Sequence, residues 1–185
     1  MIRMNIILLA GSNRKDATST RLSAFVGDII SKSGHQAHLF DLYEKPLPFY
    51  SPDDEYDSTD TISELQKVMR QSDAIVLATP EYHSSISGVL KNALDHLGQE
   101  HFRGKAVLSM SSAGGAVGTS SLQQLQAIVR NLHGINSAEW ISIGGAQRNW
   151  FAESHTDHEG SGGEVTERIR RVTHSFLELA SRIKG

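Results

Sequence analysis

The chain has 185 residues, 38% apolar and 21% charged, which fits one globular domain over residues 1–185 with a substantial core. A net charge of −3 argues against a nucleic-acid partner, which calls for a basic face. The absence of cysteine excludes disulfides, thiolate catalysis and Cys-ligated metals, and no apolar run approaches the roughly 20 residues of a membrane helix. With no targeting pattern either, a cytoplasmic protein without membrane or nucleic-acid partners is expected.

The first element is an apolar run, "MNIILLA" (4–10), nearly continuous and β-branched as in a strand covered on both faces. Leu22, Val26 and Ile29 then step at helical spacing. A second run, "QAHLFDL" (36–42), leads into residues 43–60, which hold three of the four prolines with several aromatic and acidic residues. That stretch reads as a long loop, and loops of this length tend to be functional. Helical spacing returns at Ile62, Leu65 and Met69, before a third strand-like run, "DAIVLAT" (73–79). Ile86, Leu90, Ala93, Leu94 and Leu97 make one helical stripe. A fourth run, "KAVLSMS" (105–111), is followed by a stripe at Leu122, Leu125, Val129 and Leu132. A fifth, "AEWISIG" (138–144), precedes the aperiodic, Gly-rich stretch 145–163. A last helix carries Val165, Ile169, Val172, Phe176, Leu179 and Ile183. Alternating strands and helices with short links predict a parallel sheet wrapped by helices.

Open parallel sheets bind ligands at the carboxyl ends of their strands. The loops after the first, third and fourth strands read "GSNRKDATSTR", "PEYHSSISG" and "SAGGAVGTS". The first offers the hydroxyls of Ser12, Thr18, Ser19 and Thr20 with Arg14, Lys15 and Arg21 at a helix start, a composition suited to a phosphate. Asp16 breaks the Walker A spacing and the dinucleotide G-x-G-x-x-G pattern is absent, which leaves a cradle for one terminal phosphate. A helix start capped by Ser or Thr, with solvated basic neighbours, reads equally well. In the fourth-strand loop, Gly114 and Gly115 permit positive φ and a flat ligand against backbone, although a tight turn would also use them.

The motifs "GSNRKDATST" and "PEYHSSISGVLKNALD" resemble those of the NAD(P)H-dependent FMN reductase family, and within it the bacterial azobenzene reductases. The resemblance covers nearly the whole chain. It implies a flavodoxin-like three-layer α/β/α sandwich with a five-stranded parallel sheet of order 2-1-3-4-5. It implies FMN as cofactor, with Ser12, Arg14, Thr18, Ser19 and Thr20 at its phosphate. By the same resemblance Pro80, Glu81, Tyr82 and His83 border the isoalloxazine ring, and Ser112, Ala113, Gly114 and Gly115 face its pyrimidine edge. The chain departs from the family pattern at His83, where Asn is common, at Ser87 in place of Pro, and in a phosphate loop one residue longer.

The implied activity is ping-pong: NADPH or NADH gives a hydride directly to flavin N5, with no catalytic acid or nucleophile. An azo dye, quinone or free flavin then takes the electrons. Backbone N–H groups at 113–115, expected near a helix N-terminus, would stabilise negative charge on the reduced ring. A carboxylate aimed at the ring would oppose this, so Glu81 is expected to turn its side chain away. A homodimer or homotetramer is expected, with loop 43–60 covering a neighbour's flavin.

Two other classes compete. A flavodoxin-type carrier would hold FMN without oxidising NADPH, but carriers favour a strongly acidic face and the charges here are mixed. A serine hydrolase using Ser85 or Ser87 lacks the G-x-S-x-G elbow. His155, Asp157, His158 and Glu159 lie in a Gly-rich stretch and do not make a convincing ligand set, so no metal is expected. His96 and His101 read as surface residues. Lys91 and Asp95 read as an i,i+4 pair or a subunit contact.

Overall fold

The computed structural model describes residues 2–56, 60–152 and 163–185. The central sheet is built from β1 (Asn5–Ala10), β2 (Gln36–Asp41), β3 (Ala74–Pro80) and β4 (Ala106–Ala113), in the order β2-β1-β3-β4 and all parallel. Between them run α1 (Thr18–Lys32), α2 (Thr61–Gln71), α3 (Gly88–Asp95) and the short α4 (Gln99–Phe102). After β4 come α5 (Thr119–Asn131), β5 (Ile135–Asn136), β6 (Ile141–Gly144), α6 (Gln147–Ala152) and α7 (Gly163–Lys184).

Alternation along the strands feeds two cores. Ile6 and Leu8, Val76 and Ala78, and Leu108 and Met110 face α1 and α7, where Phe25, Val26, Ile169 and Phe176 meet them. Ile7 and Leu9, Ile75 and Leu77, and Val107 face the other way, onto Leu65, Leu90, Leu94 and Leu125 of α2, α3 and α5. Every residue of β3 is buried, which explains its unbroken apolar reading. This is the expected three-layer arrangement with strand order 2-1-3-4-5.

The fifth position differs from the sequence expectation. It is filled by two segments, with Ile135 and Asn136 pairing with Ala106 and Val107, and Ile141–Gly144 pairing with Met110–Ala113. Between Asn136 and Ile141 the chain has four residues where β4 has only Leu108 and Ser109 between the matching partners. The excess cannot lie in register, so the ladder is interrupted and the expected strand over 138–144 begins at 141.

At the carboxyl edge the backbone is drawn in tightly. Gly11 N donates to Ala78 O at 2.8 Å, and a Cβ on Gly11 would stand 2.6 Å from the Leu90 Cβ. Only glycine lets the chain leave β1 flush against α3.

His96 and His101 are buried, not on the surface. His96 lies under the loop 43–56, with Nε2 3.0 Å from Pro48 O and its ring edge-on to Tyr50 and Tyr56. His101 Nδ1 accepts from Gly98 N at 2.9 Å, and α4 packs it toward α2. Lys91 and Asp95 form the i,i+4 ion pair, 2.7 Å apart. No described helix is long and apolar enough to cross a membrane. His155, Asp157, His158 and Glu159 lie outside the described residues.

Burial pushes the imidazole of His101 below its ordinary value, with Arg70 and Lys105 adding to the effect against Glu100 and the Gly98 hydrogen bond. Burial, with Lys184 nearby, lowers His35, whose Nδ1 accepts from Met4 N. As pH falls through about 6.5, the unfolded chain takes up protons at these sites that the folded chain does not, so stability is lost on acidification. Urea unfolding is expected to show a free energy that falls from pH 7 to 5.5, by up to about 1.4 kcal/mol per pH unit per histidine. The double variant His35→Gln/His101→Gln should flatten that slope, and an equal slope in both proteins would refute the assignment.

Candidate functional site

The loop after β1 turns through Ser12, whose buried Oγ accepts from Arg14 N at 3.1 Å, and Asp16 at φ 52°. The cap of α1 is Ala17, which offers no side-chain hydrogen bond. Thr18, Ser19 and Thr20 are therefore the first helical residues and not caps, and their N–H groups are left unsatisfied by the helix. The first turn contains no acidic residue. Ser19 Oγ and Thr20 Oγ1 are buried with no hydrogen-bond partner. A 15-residue helix thus ends in bare N–H groups, orphaned hydroxyls and the nearby Arg14, a set that accommodates an anion. Arg21 points elsewhere and ties α1 to α6 by donating to Phe151 O at 3.2 Å.

The loop after β3 answers a different need. Glu81 N donates to Ser112 O at 2.8 Å, and Glu81 Oε2 accepts from Ser121 N at 2.9 Å and Ser121 Oγ at 2.8 Å. The carboxylate thereby occupies the N-terminal turn of α5, where the helix dipole favours negative charge. Its side chain is turned to that helix, and the residue also lines the cleft described below. Tyr82 and Ser85 then exchange two backbone hydrogen bonds of 3.0 Å, with His83 at φ 51° and Ser84 at φ 59° between them. Two successive positive φ values make this a tight primed turn. Gln124 of α5 clamps it, accepting from Ser85 Oγ and donating to Ser84 O.

The serine-hydrolase reading finds no support here. Ser87 is the buried cap of α3, its Oγ donating to Gly11 O and accepting from Leu90 N. Ser85 is committed to Gln124, and no described histidine bonds either hydroxyl.

The loop after β4 corrects two expectations. Neither Gly114 nor Gly115 has positive φ. The glycine that sterics require is Gly118, where a Cβ would lie 2.7 Å from Ser111 Oγ and 3.4 Å from Glu81 Oε2. The helix also starts later than expected, at Thr119, so residues 113–115 lie short of its N-terminus, which Glu81 already occupies.

These loops enclose a cleft of about 260 Å³. Arg14, Thr18 and Ser19 line it from the first loop, Pro80, Glu81 and Tyr82 from the second, and Ser112 and Gly114 from the third. Ser12, Thr20, His83, Ala113 and Gly115 flank these residues in sequence without lining the cleft. Arg148 completes the wall from α6, a residue that sequence reasoning missed. Its one sequence signal was position, shortly after the last strand at the binding edge. A larger groove, about 550 Å³, lies beside His35 and His174 at the opposite, amino edge of the sheet.

A sequence profile described as NADPH-dependent FMN reductase matches residues 4–148. The chain belongs to that family. It is 35% identical over 136 residues to an FMN-dependent NADPH-azoreductase of Staphylococcus aureus, covering 71% of this chain and 72% of the relative. Its fold superposes on the flavoenzyme NAD(P)H:(acceptor) oxidoreductase of Paracoccus denitrificans with a TM-score of 0.76 at 19% identity, covering 97% and 98% of the two chains. An archaeal flavodoxin superposes with a TM-score of 0.63 at 12% identity, over 98% and 100%. The fold is flavodoxin-like, and the protein is an enzyme of the NADPH-dependent FMN reductase family.

In this reductase the Glu81 carboxylate is a structural clamp between the β3 loop and α5. Glu81→Ala is expected to destabilise the fold by about 1–2 kcal/mol, through loss of charge-assisted hydrogen bonds at a helix N-terminus. A denaturant midpoint unchanged from the parent would contradict the clamp.

Proposed function

We propose that the cleft holds FMN with its phosphate at the α1 N-terminus, and that the enzyme oxidises NADPH or NADH and passes the electrons to an azo compound, a quinone or free flavin. The observation that carries the reading is the uncapped start of α1, with the orphaned Ser19 hydroxyl and Arg14 opening into the cleft. That set suits a phosphate, and Gly114, which brings no side chain into the cleft, suits a flat ring beside it.

When bound, the flavin supplies the hydride acceptance and onward electron delivery. The chain supplies orientation. Arg14 and the first-turn N–H groups of α1 hold the phosphate, with Ser12, Thr18, Ser19 and Thr20 as its hydroxyl neighbours. Pro80 and the clamped turn at Tyr82 and His83 border the ring. Ser112 and Gly114, with Ala113 and Gly115 beside them in the chain, border the ring's other edge. Glu81 keeps its charge on α5 and away from the electrons being delivered. The azoreductase likeness favours NADPH and azo substrates.

We further propose a homodimer or homotetramer. Phe49, 89% exposed, projects from a loop that Asn92 and His96 hold in place through Pro48 and Tyr50, as suits a residue received by a second copy.

The purified protein should show a flavin absorbance spectrum that bleaches when NADPH is added without oxygen. A spectrum that persists with NADPH and NADH would instead support an electron carrier, and none after soaking with FMN would overturn the reading. Arg14→Ala should weaken FMN binding by roughly 1.5–3 kcal/mol, about ten- to a hundredfold; unchanged affinity in a fluorescence titration would remove the phosphate assignment. Light scattering at micromolar concentration should report at least a dimer, and a monomer would refute the assembly.

A further inference from the structure

Arg148 is the part of the cleft that nothing above has put to use. It is half-buried on α6, its N–H bonded to Gly145 O at 3.2 Å. Gly144 fixes where that helix begins, because a Cβ there would lie 2.3 Å from Gly115 O and 2.4 Å from Ala116 O. The end of β6 is therefore pressed against the loop that follows β4. Farther along α6, Trp150 and Phe151 pack edge-on against each other and against Phe25 of α1. Arg148 is thus mounted between two fixed anchors and not on a free loop.

Its guanidinium passes over Gly114, with Nη1 3.8 Å from where a Cβ would stand. Among the described residues, no hydrogen bond or ion pair engages its side chain. Among the described residues Glu81 supplies the one carboxylate that lines the cleft, and Ser121 holds it. The cation therefore faces the cleft without a counter-charge from the described residues.

The two ends of the cleft have different characters. The α1 end has the bare helix N-terminus, Arg14 and the orphaned hydroxyls. Gly114 follows β4, two strands away from β1, or roughly 9–10 Å at ordinary strand spacing. A mononucleotide whose phosphate occupies the first end must extend its ring toward the second. Hydride transfer breaks the C4–H bond of the reduced nicotinamide and forms an N5–H bond on the ring. The nicotinamide leaves oxidised, and the ring keeps two electrons and one net negative charge until a solvent proton arrives. A fixed, unpaired guanidinium at the ring end favours that charged product over the neutral oxidised ring.

We infer that Arg148 contacts the ring end of bound FMN and sets its reduction potential, by stabilising the reduced, negatively charged ring more than the oxidised one. The inference rests on the FMN reading proposed above. It deepens that reading by giving one residue a redox role distinct from phosphate binding.

The test compares parent protein, Arg148→Met, Arg148→Gln and Arg148→Lys. Oxidised FMN affinity is read by fluorescence quenching and the two-electron midpoint potential by anaerobic titration against a reference dye. In the Met and Gln variants, affinity for reduced FMN should fall at least tenfold more than affinity for oxidised FMN. That lowers the potential by about 30 mV for each factor of ten. The break in the plot of potential against pH should move upward as the reduced ring holds its proton more tightly. Lys, which keeps the charge, should recover most of both effects. Equal losses of oxidised and reduced affinity, with riboflavin binding unchanged, would make Arg148 a phosphate ligand and overturn the inference. An unchanged potential in Met or Gln would overturn it as well, while leaving the FMN site intact. A parent protein that takes up no FMN would overturn the cofactor assignment and this inference with it.

Discussion

Two long helices, α1 and α5, aim their N-termini at the same edge of the sheet, and the protein treats them in opposite ways. The start of α5 is neutralised by Glu81, whose carboxylate accepts from both the backbone and the hydroxyl of Ser121. The start of α1 is left bare, with alanine at its cap and no acid in its first turn. An unsatisfied helix end is costly unless something meets it, so this asymmetry makes the α1 end receptive to a ligand anion. The rest of the site follows from it. Because Glu81 is committed to α5, the loop carrying Tyr82 is held in place and its carboxylate is held against that helix.

The turn at 82–85 shows how strongly that placement is enforced. His83 and Ser84 both adopt a backbone region disfavoured for residues with a side chain, at about 1–2 kcal/mol each. Gln124, the paired Tyr82–Ser85 hydrogen bonds and the buried cap at Ser87 together hold the conformation. Histidine is among the residues that tolerate this region best, which accounts for its standing where the family commonly has asparagine.

Much of this was legible in the sequence, because burial on two faces writes itself into composition. β1 and β3 read as apolar runs since both their faces are covered, and the helices showed their spacing. What was not legible depended on long-range packing. The burial of His96 follows from a loop folding back from forty-odd residues upstream. The demand for glycine at 118 comes from Ser111 and Glu81, and the arrival of Arg148 depends on an α6 anchored by Phe25. The break in the fifth strand falls where the alternation fails, since Ile141 and Ile143 share one face and the position two before them is Glu139.

That broken strand bears on how the molecule meets its own kind. A sheet grows from one molecule to the next through a free strand that is long, flat and apolar. One border of this sheet consists of a two-residue and a four-residue piece out of step with each other, and the other is β2, whose exposed positions include Gln36 and His38. The broken border offers no continuous ladder for a stranger's backbone to join, whereas β2 runs unbroken through six residues. The border built from β5 and β6 is thereby guarded against fibril-like stacking.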